Sequence, residues 1–256
     1  MPAPRKPAPP AASGTVSIAR ALSKLGVCSR AEGERLVAAG RVSVGGRVVH
    51  DLSHPVRPET AAIAIDGDRV GRTEKVYLAL NKPRGLVTTR DDPQGRATVY
   101  ECLADPALPF VGPVGRLDKA SEGLLLLTND TRWAAQLIDP SSHVDKTYHV
   151  QVRGLVDAAT VARVVARVAA GVVEQRSGEA LSVKRASLLR VGSRSSAWLE
   201  IVLDEGKNRH IRRLLAELDL EVRRLVRVAI GGLALGTLAK GEWRPLTPDE
   251  VEALRG

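Results

Sequence analysis

Near its start the chain spaces its apolar residues helically; further on they alternate or run together. In residues 17–25, Ile18, Leu22 and Leu25 share one face, which predicts a short helix ended by Gly26. Ser29-Arg30-Ala31-Glu32 reads as a capping box opening a second helix, which reaches about Ala39 and stops at Gly40. Val42 and Val44 then alternate with polar residues, Gly45-Gly46 makes a tight hairpin turn, and Val48-Val49 returns. Ala62 to Gly67 supplies another short strand. A compact module over residues 16–71 follows from this, preceded by a Pro-, Ala- and Lys/Arg-rich tail (1–15) expected to be disordered.

After a linker at 72–75 the pattern changes to strands with scattered helices. Strands are expected at 76–80, 124–128, 147–152, 181–189, 197–203 and 221–228, and helices at 98–103, 131–138, 157–169 and 209–218. The run Leu124 to Leu127, bounded by Gly123 and Asn129, reads as a strand buried on both faces. This arrangement predicts an α+β second domain, 76–256, built on a mostly antiparallel sheet. No G-x-G-x-x-G turn occurs, which argues against a cofactor-dependent methyltransferase.

The formal charge is +9, and residues 1–75 carry 12 Lys/Arg against 7 Asp/Glu, more than half of that excess in the smaller part of the chain. A basic chain favours an anionic partner, nucleic acid foremost. Cys28 and Cys102 are far apart and in no ligand spacing, so reduced thiols and a cytoplasmic setting are expected. The histidines lack metal-site spacing, no apolar stretch approaches a membrane span, and no secretory signal opens the chain. Neither metal nor membrane contact is expected.

The candidate chemistry begins at Gly115-Arg116-Leu117-Asp118-Lys119-Ala120-Ser121-Glu122-Gly123, directly before the leucines. The turn holds one carboxylate, Asp118, on a rigid base. An aspartate in a turn is more often only a cap or an Asx-turn residue. Two further stretches change the balance: Lys146-Thr147-Tyr148-His149-Val150, and Glu205-Gly206-Lys207-Asn208-Arg209-His210-Ile211-Arg212-Arg213-Leu214-Leu215, where Gly206 is expected to make the turn and a helix to begin near Asn208. A fourth, Leu80-Asn81-Lys82-Pro83-Arg84-Gly85-Leu86-Val87-Thr88-Thr89, reads as a strand end and turn.

Together these stretches resemble the motifs of pseudouridine synthases, RNA enzymes that turn uridine into its C-glycoside isomer. The segment from Leu25 to Gly46 resembles the RNA-binding module of small-subunit ribosomal protein S4, the alpha-L fold. Ala31 departs from that pattern, and so does Gly33, which costs a helix about 1 kcal/mol against alanine. With this module in front, the chain is similar to the RsuA/RluB branch, whose members modify ribosomal RNA. Nearly everything from residue 17 to about 250 takes part in the resemblance.

The resemblance implies roles. Asp118 is the catalytic carboxylate, as nucleophile toward the sugar or as base at C2′. Tyr148 packs on the flipped-out base, Arg212 pairs with Asp118, and Ile211 borders the base. Arg116 fits between phosphates near the flipped nucleotide, and Lys82, Lys207 and Arg209 are expected to contact RNA. Arg20, Lys24, Ser29, Arg30, Arg35 and Arg41 are the expected RNA contacts of the first module. No cofactor is called for, because the detached uracil stays in the site. A monomer acting on ribosomal RNA, in a pre-ribosomal particle, is expected, with large-subunit 23S RNA the first choice and small-subunit 16S RNA the alternative. A non-catalytic assembly factor on the same fold is the rival from another class; it would lack Asp118 or its arginine partner.

Overall fold

The computed structural model describes residues 14–71, 73–153, 158–191 and 196–255. The expected tail, apart from Gly14 and Thr15, lies outside them, as do Arg72 of the linker and Asp157, the expected start of a helix. The described chain forms two units. One comprises the chain up to Val76 with residues 107–112 and 129–131; the other holds 77–106, 113–128 and residues from 132 onward. The expected division had neither short segment in the first unit. Their placement has a local cause at 129–130. Asn129 Nδ2 donates to Glu74 O at 2.7 Å, Val76 N donates to Asn129 Oδ1 at 2.9 Å, and Lys75 pairs with Asp130. The stretch expected to be a free linker is tied down.

In the first unit, helices Ile18–Lys24 and Arg30–Ala38 pack over a four-stranded antiparallel sheet ordered Arg47–Val48, Val42–Val44, Ile63–Ile65, Asp68–Arg69. Ile18, Leu22, Val37, Val42 and Ile63 are its core. Ser29 caps the second helix by accepting from Glu32 N at 3.1 Å. The Glu32 side chain pairs with Arg35 at 2.7 Å, so only half of the expected box forms. Gly33 is explained by packing. A Cβ there would stand 3.2 Å from the Ala19 Cα and carbonyl oxygen, so the bare glycine lets the two helices close up.

The second unit is built on a sheet of nine strands among the described residues. Its main path runs Arg185–Val191, Ser196–Leu203, Lys146–Arg153, Glu221–Ile230, Glu122–Thr128, Tyr77–Lys82, Trp243–Pro245. Along this path the pairings are antiparallel except one: Glu221–Ile230 runs parallel to Glu122–Thr128, with Val226 opposite Glu122 and Arg227 opposite Gly123. The expected strand over 181–189 is in fact two, Ala180–Leu181 and Arg185–Val191. The expected helix at 98–103 is a short 3-10 turn, Val99–Leu103. Helices Ala158–Ala170 and His210–Ala216 accompany one core, around Val150, Val168, Leu199 and Leu214; helix Thr131–Ile138, with Trp133, closes a second around Leu124 and Leu126. Leu124 to Leu127 are all fully buried, as the run requires.

The parallel pairing brings two backbones unusually close. Gly123 has φ +101°, and a Cβ there would lie 2.2 Å from the Arg227 carbonyl oxygen. Gly123→Ala must strain or separate the strands that carry the site, and is expected to cost about 3 kcal/mol or more. Thermal unfolding of the purified variant checks this; an unchanged midpoint contradicts the close approach.

Candidate active site

The leucine strand, the tyrosine strand Lys146–Arg153 and the strand Glu221–Ile230 are successive neighbours in the sheet, so residues at their ends meet. They line a cleft of about 350 Å³ with the segment before helix His210–Ala216. Arg116, Asp118, Tyr148, Lys207, Arg209 and Ile211 all stand in its wall. Lys82 and Arg212 do not.

Asp118 and Tyr148 are half-buried, Arg116 and Arg209 exposed at the rim, and Ile211 buried. Arg209, rather than Gly206, takes the left-handed conformation (φ +49°) at the turn into the helix, which begins at His210 and not at Asn208. Lys207 Nζ donates to Ala180 O at 2.7 Å and faces Glu205 at 3.1 Å, so it is partly spent inside the protein. His210 is buried 3.5 Å from Glu205, and burial lowers its pKa.

The backbone of the Asp118 turn is held at every carbonyl from 117 to 121. Thr88 Oγ1 donates to Leu117 O at 2.7 Å. Ser121 N donates to Asp118 O at 2.9 Å, and Gly85 N to Lys119 O at 2.8 Å. Arg212 Nη2 donates to Ala120 O at 3.0 Å. Lys82 Nζ donates to Ser121 O at 2.8 Å, Pro83 O at 3.0 Å and Asp118 O at 3.2 Å. A carboxylate on such a turn is aimed by the backbone, which removes the cost of positioning it during reaction.

Two expectations are corrected here. Lys82 was expected at RNA, yet it is fully buried, with its ammonium in the protein interior beneath the turn. Burial lowers its pKa to about 8, against the opposing pull of Asp118 and then Glu122. It shares a strand face with Leu78 and Leu80, both of them buried. Arg212 was expected to pair directly with Asp118, but the described residues show no such ion pair. Its guanidinium grips the Ala120 carbonyl and lies 3.5 Å from Val222 O. Burial, then the charge of Arg209, lowers its pKa, while Asp118 raises it. Arg212 thus acts on Asp118 through the turn and through its field.

Sequence reasoning missed Glu122 and Arg227. Glu122, buried on the leucine strand, takes two 3.0 Å bonds from Arg224 and pairs with Lys240. Arg227 is buried in the cleft wall. The signal for Arg227 was present: it lies two residues after Leu225, on the inward parity of its strand.

In the first unit Arg20, Lys24, Arg30, Arg35 and Arg41 are exposed and Ser29 is half-buried. Arg30 pairs with Glu34, Arg35 with Glu32, and Arg41 with Asp66. Exposed pairs of this kind are weak and can be exchanged for phosphates. Among the described residues Arg20 and Lys24, one turn apart on the first helix, form no ion pair.

The chain thus combines a basic helical module with a sheet unit whose cleft holds one braced carboxylate, an aromatic ring and a cationic rim, groups suited to an anionic polymer. Comparison with known proteins specifies the family. The model of the RNA pseudouridylate synthase family matches residues 76–217, and that of the S4 domain residues 18–61. The chain belongs to the RNA pseudouridine synthase family and carries an N-terminal S4 domain. An uncharacterized RNA pseudouridine synthase of Aquifex aeolicus is 37% identical over 93% of both chains. The ribosomal large subunit pseudouridine synthase B of Bacillus subtilis is 33% identical over 92% of this chain and 94% of its own. A crystal structure of a pseudouridylate synthase superposes with a TM-score of 0.64 at 28% identity, covering 93% of this chain and 99% of the other. Among the described residues no helix is long and apolar enough to cross a membrane.

Proposed function

We propose that this pseudouridine synthase acts on one or a few uridines of large-subunit ribosomal RNA, with Asp118 as the group that attacks the sugar or removes its C2′ proton. The observation that carries the reading is the Asp118 carboxylate in one cleft with Tyr148, on a turn bonded at five successive carbonyls. The large-subunit target is supported by the name of the Bacillus subtilis relative, and an RNA substrate by the S4 domain.

The reaction breaks the C1′–N1 bond, turns the uracil and joins C5 to C1′; the C5 proton is lost and N1 gains one. No net oxidation occurs, so the chemistry asks for positioning and charge. Tyr148 offers a face for the base once it has left its stack, and Ile211 an apolar border. Arg116 and Arg209, at the rim, suit phosphates of the entering strand. Arg20 and Lys24 offer two further phosphate contacts.

Tyr148→Ala is expected to slow conversion about 10–100-fold, the worth of one base–aromatic stack, while Tyr148→Phe keeps most of the activity. Single-turnover assays on a ribosomal RNA fragment decide this; equal losses would assign Tyr148 another role.

The target is tested by mapping pseudouridine in both ribosomal RNAs of cells lacking the protein, complemented with wild type or Asp118→Asn. A large-subunit site restored by wild type alone supports the reading. A small-subunit site moves the target to 16S RNA. Rescue by Asp118→Asn, or no lost site, overturns the catalytic reading in favour of assembly or another RNA.

A further inference from the structure

Arg227 is 5% exposed, yet its side chain forms one bond only: Nε donates to Leu124 O at 2.7 Å. Its Nη2 is buried with no partner among the described residues, and no carboxylate there forms an ion pair with it. Buried guanidinium groups are ordinarily paired, because stripping one of water is costly. This one stands in the wall of the cleft that holds Asp118 and Tyr148.

Three features fix what it could meet. The Leu124 carbonyl locks Nε and leaves both terminal nitrogens of the guanidinium without a hydrogen bond among the described residues. Arg227 is the register partner of Tyr148 on the adjacent strand, so it belongs to the base end of the cleft. Arg116 and Arg209, exposed at the rim, suit phosphates, whereas Arg227 is buried. A second cation stands in the same wall. The Lys146 ammonium, in the same wall, has its pKa lowered by burial and then by the charge of Arg227, with Asp204 and Asp145 opposing.

We propose that Arg227 is a catalytic residue of this enzyme, donating from Nη2 to a carbonyl oxygen of the uracil and stabilising the base as it leaves. The inference rests on the cleft being the uridine site. When C1′–N1 breaks, the electron pair of that bond passes to N1 and spreads to the two carbonyl oxygens. Meanwhile C1′ either bonds to a carboxylate oxygen of Asp118 or forms a double bond to C2′ as Asp118 takes the proton. In both cases the base departs as an anion, and a fixed buried donor at its carbonyl binds the anion better than the neutral ring. Attack of C5 on C1′ then displaces the Asp118 carboxylate or, from the double bond, accompanies return of the proton from Asp118 to C2′; the C5 proton leaves, N1 gains one, and the donor is left as it began.

The test compares Arg227→Gln with wild type on the same ribosomal RNA fragment carrying uridine or 5-fluorouridine, under single turnover, by mass spectrometry of the digested nucleosides. Fluorine withdraws electrons and makes the base a better leaving group, so it needs less help. Arg227→Gln is expected to consume uridine about 10²–10³-fold more slowly than wild type, to show a smaller deficit on 5-fluorouridine, and to bind the RNA within about threefold. Arg227→Lys, which keeps the charge without the fixed fork, should show the same substrate-dependent deficit in milder form; it serves if circular dichroism finds the glutamine variant unfolded. Equal deficits on the two substrates, or none, overturn the assignment and reduce Arg227 to a brace for Leu124. A wild type that consumes neither substrate overturns the uridine site itself.

Discussion

Asp118→Asn is expected to abolish pseudouridine formation, with a loss on the order of 10⁴-fold, while RNA affinity stays within a few-fold. The substitution keeps the shape of the side chain and removes its charge. The bonds to the turn's five carbonyls come from Thr88, Ser121, Gly85, Arg212 and Lys82, none of them to the Asp118 carboxylate, so the loop should survive. An amide is a poor nucleophile and a poor base, so either role for Asp118 fails with it. Filter binding and a single-turnover assay on one RNA fragment separate affinity from chemistry. If affinity fell together with activity, the carboxylate would be a structural group, and the mechanism would have to be sought elsewhere in the cleft.

The parts of this site that were legible in the sequence are those fixed by local pattern. Four leucines in a row between Gly123 and Asn129 read as a strand covered on both faces, and that strand placed Asp118 at its entrance. Tyr148, Ile211 and Arg209, named from the resemblance of their stretches to family motifs, line the same cleft. What failed depended on partners distant in sequence. Lys82 looks like a surface cation, and only its place on the same strand face as the apolar Leu78 and Leu80 hinted that it is buried. Its three carbonyl acceptors come from its neighbour Pro83 and from residues 36 and 39 positions away, which no local reading supplies. The Gly33 departure looked like a defect in a helix, whereas the cause is the backbone of Ala19 on another helix. The one parallel pairing in the sheet, which puts Gly123 against Arg227, was equally invisible, since strand patterns record burial and not direction.

Lys82→Met is expected to reduce turnover about 10²-fold, with RNA affinity little changed, because the turn beneath Asp118 loses its central donor and the carboxylate its fixed aim. The Pro83, Asp118 and Ser121 carbonyls all lose a bond, and the Asp118 carbonyl alone keeps another recorded donor, Ser121 N. Stability should respond less than activity, because removing the ammonium also removes the cost of burying it. The pH dependence gives a sharper test. Lys82 titrates at about 8 in the folded protein against 10.5 for an ordinary lysine. Below pH 8 both folded and unfolded chains hold the proton, and the penalty of a buried charge is present in full. Between 8 and 10.5 the unfolded chain binds more protons than the folded one, so this group's contribution to stability rises with pH. Activity should move the opposite way, since a neutral amine has two N–H donors for three carbonyls. Wild type should therefore show an alkaline fall in turnover near pH 8 while its unfolding midpoint, as far as Lys82 governs it, does not fall. The residual activity of Lys82→Met should lack that limb. An identical alkaline fall in the variant would assign the titration to another group and leave Lys82 a purely structural lysine.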